Sequence, residues 1–154
     1  MKDIFIDNQC ALRFSNPPNE EYKKLLKWLL TNNHDEPEKN AYLAVSKKLI
    51  GEYQRSCSPV SFRQNISTII NTLTTENRLN LITNEDIKKF KSLHFKKHIR
   101  LTCNYEDREH IPVVLLSDRK YALIQDNKFI KDLINFPRFR VIAKSSPELI
   151  PYDN

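Results

Sequence analysis

Short apolar runs alternate with longer stretches of helical spacing along this chain. Ile4-Phe5-Ile6 is apolar throughout and stops at Asp7-Asn8, which predicts a buried strand closed by a turn. After the loop Asn16-Pro17-Pro18-Asn19, Tyr22, Leu25, Leu26 and Leu29 recur at helical spacing. Asn19 suits the cap of that helix, and Glu20 and Glu21 suit its positive end. Pro37 precedes a second predicted helix over 38–55, with Ala41, Val45, Leu49 and Glu52 on one face. Ser58-Pro59 opens a third, carrying Phe62, Ile66, Ile69, Ile70 and Leu73.

The pattern then gives a strand at 79–82 and a helix from Asn84-Glu85-Asp86 with Ile87 and Phe90 inward. A helix over 107–119 follows, unless Pro112 marks a later start. A strand at 121–124 runs up to Asp126, a short helix spans 129–133, a strand 140–143, and a tail begins at Pro147. Alternation of apolar strands with helices predicts a single α/β domain over 1–154 with a mainly parallel sheet.

Composition narrows the chemistry. The chain of 154 residues is 40% hydrophobic and 29% charged, as a folded domain is. One glycine, Gly51, is present, which excludes a P-loop or a GxGxxG turn. Cys10, Cys57 and Cys103 are odd in number and form no CxxC pair, so a reducing, cytoplasmic setting is expected. No stretch has the length of a membrane span, so no membrane contact is expected. A net charge of +6 favours a polyanionic partner. The basic residues cluster locally, as in Lys23-Lys24 with Lys27, Lys47-Lys48, Lys88-Lys89 with Lys91, and Lys96-Lys97 with Arg100. Each group taken singly reads as a solvated helix face.

Four acids stand out. Asp7 and Asp126 each follow an apolar strand, and open α/β sheets bind ligands outside those ends. Taken alone, such an Asp is also a common turn residue or helix cap. Glu52 continues the apolar stripe of its predicted helix, where an unpaired carboxylate is costly, although a helix end gives it a route to solvent. Asp107 heads the stripe of Ile111, Val114 and Leu115, or serves as an N-terminal dipole partner.

An Asp ending the first strand, a Glu in "LIGEY", an Asp opening "DREHI" and a further Asp after a later strand together resemble the PIN-domain nucleases. The pattern runs from Asp7 to the "RVIAKSSPELI" ending. The resemblance implies a three-layer α/β/α sandwich and a metal site formed by Asp7, Glu52, Asp107 and Asp126. It implies Mg²⁺ or Mn²⁺, hydrolysis of a phosphodiester by metal-activated water, and RNA in preference to DNA. An antitoxin partner and a homodimer are further options it leaves open. His110 is given no catalytic role. Gln9 and Ile124 depart from the family's usual flanks, which keeps an inactive nucleic-acid-binding scaffold as an alternative, and a DNA nuclease of the same fold is another.

Other readings fit less well. A haloacid-dehalogenase-type phosphatase needs an acid at position 9, where Gln9 stands, and a phosphorelay receiver needs a different acid order. His94, His98 and Cys103 suggest zinc only by proximity in sequence; surface histidines in a basic segment are the simpler reading. Asp7→Asn is expected to abolish cleavage and leave the fold largely intact.

Overall fold

The computed structural model describes residues 1–57, 65–97 and 99–154. Five strands form one wholly parallel sheet among these residues: β1 (Lys2–Ile6), β2 (Ala41–Val45), β3 (Leu79–Leu81), β4 (Tyr121–Leu123) and β5 (Ile142–Lys144). Their order is β3-β2-β1-β4-β5. The expected α/β class holds, and helices on both faces give the three-layer arrangement.

Parallel neighbours require crossovers, which are right-handed almost without exception. The chain moves from β1 through β2 to β3 in one direction, then returns past β1 to β4 and β5. The crossovers therefore put α1 (Asn8–Ala11), α2 (Glu20–Leu30), α3 (Lys47–Ser56) and α4 (Ile66–Thr75) on one face. They put α5 (Asn84–His94), α6 (Tyr105–Arg108), α7 (Ile111–Leu116) and α8 (Asn127–Ile134) on the other. Packing agrees: α1 lies on α3, α3 on α4, α2 on β2, α5 on α7, and α8 on β5. Ile4, Phe5 and Ile6 are buried on both sides of the central strand.

Helix starts follow their capping residues. Asn19 accepts from the Tyr22 amide at 3.0 Å, as expected, and Thr83 accepts from Asp86 at 3.2 Å. Asn65 and Thr68 form a reciprocal capping box at the head of α4. That helix starts at Ile66; the expected opening at Ser58-Pro59, with Phe62, lies outside the described residues.

Three expectations are corrected. The helix over 38–55 is instead a 3₁₀ turn (Pro37–Lys39), the strand β2 and the helix α3, divided at the Ser46 cap. Ala41-Tyr42-Leu43-Ala44-Val45 is a buried central strand, for which a continuous apolar run is the normal signature. The helix over 107–119 is split into α6 and α7, with Pro112 in the first turn of α7, where a missing amide does no harm. The tail is packed: Ile150 and Tyr152 are buried, and the Tyr152 ring lies 4.9 Å from that of Trp28. Smaller shifts occur at β5, which covers Ile142–Lys144, and at α8, which starts two residues early. Among the described residues no helix is long and apolar enough to cross a membrane.

Two buried ionic groups tie the amino-terminal side of the sheet. Asp3, fully buried, accepts from Asn80 Nδ2 at 2.7 Å and from the Asp118 and Arg119 amides at 2.8 and 2.9 Å. Arg78, 1% exposed, donates to the carbonyls of Leu29 at 2.7 Å and Ala41 at 3.1 Å and pairs with Glu76. Arg78→Met leaves those carbonyls and Glu76 without their donor, so urea unfolding is expected to show a loss of about 3 kcal/mol. A loss under roughly 1 kcal/mol contradicts this role for Arg78.

Candidate functional site

All five strands end at one edge, and the strand order reverses between β1 and β4. At such a reversal the following helices diverge to opposite faces and leave a crevice. Asp7 and Asp126 stand there. Asp7 directly follows β1, and Asp126 follows β4 and heads α8. Their strands are neighbours, as Phe5–Ala122 and Ile6–Leu123 pairing shows.

Asp7 is bound to both sides of the crevice. Its Oδ1 accepts from the Cys10 amide at 2.8 Å and caps α1. Its Oδ2 accepts from the Gln125 amide at 2.9 Å, beyond β4. Asp126 Oδ1 accepts from the Lys128 amide at 2.7 Å and the Phe129 amide at 3.4 Å, at the head of α8. Its Oδ2 has no partner among the described residues. The cap reading set out for these acids from sequence is thus realised in both, together with their placement at strand ends.

Glu52 arrives for a different reason than its expected stripe. Ala41 and Val45 belong to β2, so no common helical face joins them to Glu52. Its position follows from α3, whose Tyr53 hydroxyl donates to the Ile6 carbonyl at the end of β1. Asn8 Nδ2 also reaches Ser56 Oγ at 2.7 Å, fastening α1 to α3. Glu52 Oε2 lies 2.8 Å from His110 Nε2. His110, 3% exposed and tilted against the Phe5 ring, heads α7 on the opposite face. The pair therefore joins the two helical layers over β1. The His110 Nδ1 is buried without a hydrogen-bond partner among the described residues. Burial raises the Glu52 carboxyl, but the His110 hydrogen bond and charge, with Lys48 and Arg55, bring it below its ordinary value.

Asp107 lies in α6, a single turn capped by Asn104 at 2.8 Å, and not at the head of a long helix. Its carboxylate accepts no hydrogen bond among the described residues. Burial, then the charges of Asp126, Asp7 and Glu52, push its carboxyl up to about 6, against the pull of His110. Asp107 is thus within electrostatic reach of the other three acids, each drawn from a separate part of the chain. Asp7 and Glu52 likewise act on buried Tyr53, whose hydroxyl is raised first by burial and then by these charges.

Among the described residues no three His, Cys, Asp or Glu side chains stand close enough to hold a metal ion as they are turned. The reason is visible in the bonds above: Asp7 and Asp126 face their own helix amides, and Glu52 faces His110. Sequence reading missed His110 and Tyr53 as positioning residues. Tyr53 had a signal, since it follows Leu49 at i+4 on the buried face of α3. Of the zinc alternative, His94 packs on Phe90 and Phe139, Cys103 is buried, and His98 lies outside the described residues.

The hydrogen bonds separate the acids by the effect of substitution. Asp7→Asn keeps one acceptor but turns an amide group toward Cys10 N or Gln125 N, so it is expected to lose about 1–2 kcal/mol of stability. The earlier expectation of an intact fold is revised accordingly. Asp107→Asn removes a charge that the fold disfavours. A raised folded value means that the native state holds this proton more tightly than the unfolded chain, so ionisation lowers stability as pH rises from about 4 to about 6. Because the group is half exposed, Asp107→Asn is expected to gain only about 1 kcal/mol at pH 7 and nothing below about pH 4. Denaturant unfolding at the two pH values checks this, and an equal effect at both contradicts it.

Comparison with protein-family models, with curated proteins and with solved structures found no match.

Proposed function

We propose that this chain is a divalent-metal-dependent nuclease of PIN-like type, hydrolysing phosphodiester bonds in RNA in preference to DNA. The observation that carries the reading is the Asp107 carboxyl, pushed up to about 6 by burial and by three other acids at the strand reversal. Such mutual repulsion destabilises a fold unless something offsets it, and a divalent cation among carboxylates does so.

The donor set suits a hard cation. Asp7, Glu52, Asp107 and Asp126 offer oxygen alone, the preference of Mg²⁺ and Mn²⁺. Asp107 and Asp126 Oδ2 have free lone pairs, and Asn8 Oδ1, beside Asp7, is a buried oxygen without a partner. These residues would hold the ion, after Asp107 and Glu52 turn toward the crevice. When bound, the ion would supply a water that is easier to ionise than bulk water and would offset charge building on the phosphoryl oxygens. The chain's own part is positional. Tyr53 holds α3 to β1, His110 holds Glu52, and the Asp7 bonds keep β1 and the loop after β4 in register.

A second reading, a nucleic-acid-binding scaffold without catalysis, draws on the structural use of Asp7, both of whose oxygens already accept amides. Cleavage decides between the two. Matched RNA and DNA strands are incubated with Mg²⁺, Mn²⁺ or chelator. The nuclease reading expects metal-dependent cleavage, faster on RNA, and a fall of roughly a hundredfold or more in Asp107→Asn and Glu52→Gln. Full activity of Asp107→Asn would falsify the site. Calorimetric Mn²⁺ binding without cleavage of either strand leaves the scaffold.

A further inference from the structure

Away from the acids, two adjoining cavities of about 320 and 180 Å³ share Ile99, Phe136 and Pro137. Together they form a groove between the segment after α5 and the far end of α8. Its floor is apolar and aromatic. Buried Phe136 and half-buried His94 line it with Ile99 and Pro137, while Phe139, outside the lining, packs edge to face on His94 with ring centroids 5.3 Å apart. Its rim is cationic: Lys96, Arg100, Lys131 and Arg138 line it, and all four are exposed. None of them forms an ion pair among the described residues.

Basic charge is concentrated in the two segments that supply the groove. Residues 84–101 and 127–144 hold eleven of the 25 basic residues and three of the 19 acidic ones, leaving fourteen basic and sixteen acidic residues elsewhere. Of those three acids, Glu85 and Asp86 sit in the first turn of α5, remote in sequence from the rim. The third, Asp132, borders the groove but is 5% exposed and is fully engaged by the Thr102 amide and hydroxyl and the Cys103 amide. Arg138 also holds φ at 73°, a left-handed backbone that non-glycine residues seldom adopt and that costs of order 1 kcal/mol.

We infer that this groove binds single-stranded nucleic acid, the cationic rim following the phosphates and an unstacked base lying on the floor of His94, Phe136 and Pro137. Rings beside a basic track are what sequence-tolerant single-strand binding uses. A duplex keeps its bases stacked and has no face to offer these rings. The inference rests on the proposed function for the polymer's role as substrate, and α8 connects the two places. Asp126 caps its first turn, while Lys131 and Asn135 reach the groove, about 12 Å along the helix for eight residues. One strand can lie in the groove and extend to the acids.

Binding is measured by fluorescence anisotropy on the full chain in chelator, so that cleavage plays no part. Probes are a labelled single-stranded RNA and DNA of about 12 nucleotides and a duplex of equal length. The variant K96Q/R100Q/K131Q/R138Q is compared with K23Q/K24Q/K27Q/K47Q, which removes equal charge elsewhere; circular dichroism checks both for folding. Expected is a loss of roughly tenfold or more in the groove variant alone, with a salt dependence shallower by about 0.7 per lost phosphate contact. Equal losses in both variants, unchanged binding in the groove variant, or tighter binding of duplex than of single strand each overturn the groove. His94→Leu, which removes no lysine or arginine, supplies a further check, expected to weaken binding without altering the salt slope. Groove-dependent binding without metal-dependent cleavage retains the groove and removes the nuclease reading; cleavage that is indifferent to the groove variant does the reverse.

Discussion

The pairing of β1 with β4 is the constraint on which the rest depends. A parallel sheet sends every strand end to one edge, and the chain can change direction there only once in the order β3-β2-β1-β4-β5. That change opens a crevice beside the central strand β1. Its walls are fixed from both sides. The Asp7 amide donates to the Leu123 carbonyl at 3.0 Å, and Asp7 Oδ2 accepts from Gln125. The crevice is therefore as rigid as the ladder that ends in it. Tyr53 applies the same logic from α3, by donating to the last carbonyl of β1.

Gathering acids at that edge opposes stability, and the fold meets the opposition unevenly. Asp7 and Asp126 receive amides at helix starts, where negative charge is favoured. Glu52 receives His110, and its carboxyl is drawn below the ordinary range. Asp107 receives no hydrogen bond and is raised to about 6. The contrast with Asp3 is informative, since both ends of β1 carry an Asp. Asp3 is fully enclosed by three donors and ties strands together. A carboxylate used for structure is fully hydrogen-bonded, whereas Asp107 retains its lone pairs.

The strand ends and their acids were legible in the sequence because an apolar run stopped by Asp is a local signal. Asn19, the helix start at Asn84 and the inward faces of Ile87 and Phe90 were legible for the same reason. β2 was not, because Ala41, Val45 and Leu49 happen to fall at a spacing of four. A buried parallel strand lacks the alternation that distinguishes it from such a helix. Ser46 was the missed signal, a cap placed directly after five nonpolar-rich positions. Glu52 was thus reached by a stripe that does not exist, although α3 carries it to the same edge. Asp107 depended on Pro112, whose place in the first turn of α7 separates α6 from it. His110 could not be found locally, since its partner lies 58 residues away. The groove was legible only as scattered basic groups; its aromatic floor needs the end of α8 folded against the segment after α5.

Charge explains why the groove and the acidic edge belong together under the proposed function. Four carboxylates carry up to four negative charges, and one divalent ion returns two. With one ion the edge therefore remains a repulsive place for a phosphodiester, and with two it is neutral. Attraction must come from the chain, and the acid-rich remainder of the sequence cannot supply it. Lys96, Arg100, Lys131 and Arg138 can, because they line the groove beside α8, whose first turn is capped by Asp126. Fields from such a band extend over about a Debye length, roughly 8 Å at physiological salt, less than the length of α8. Long-range attraction from Lys131 or Arg138 at the acids is thus largely screened. A polyanion has to be held by direct contact in the groove and led to the edge along its own backbone. That requirement distinguishes a polymer from a mononucleotide, which cannot occupy both places at once.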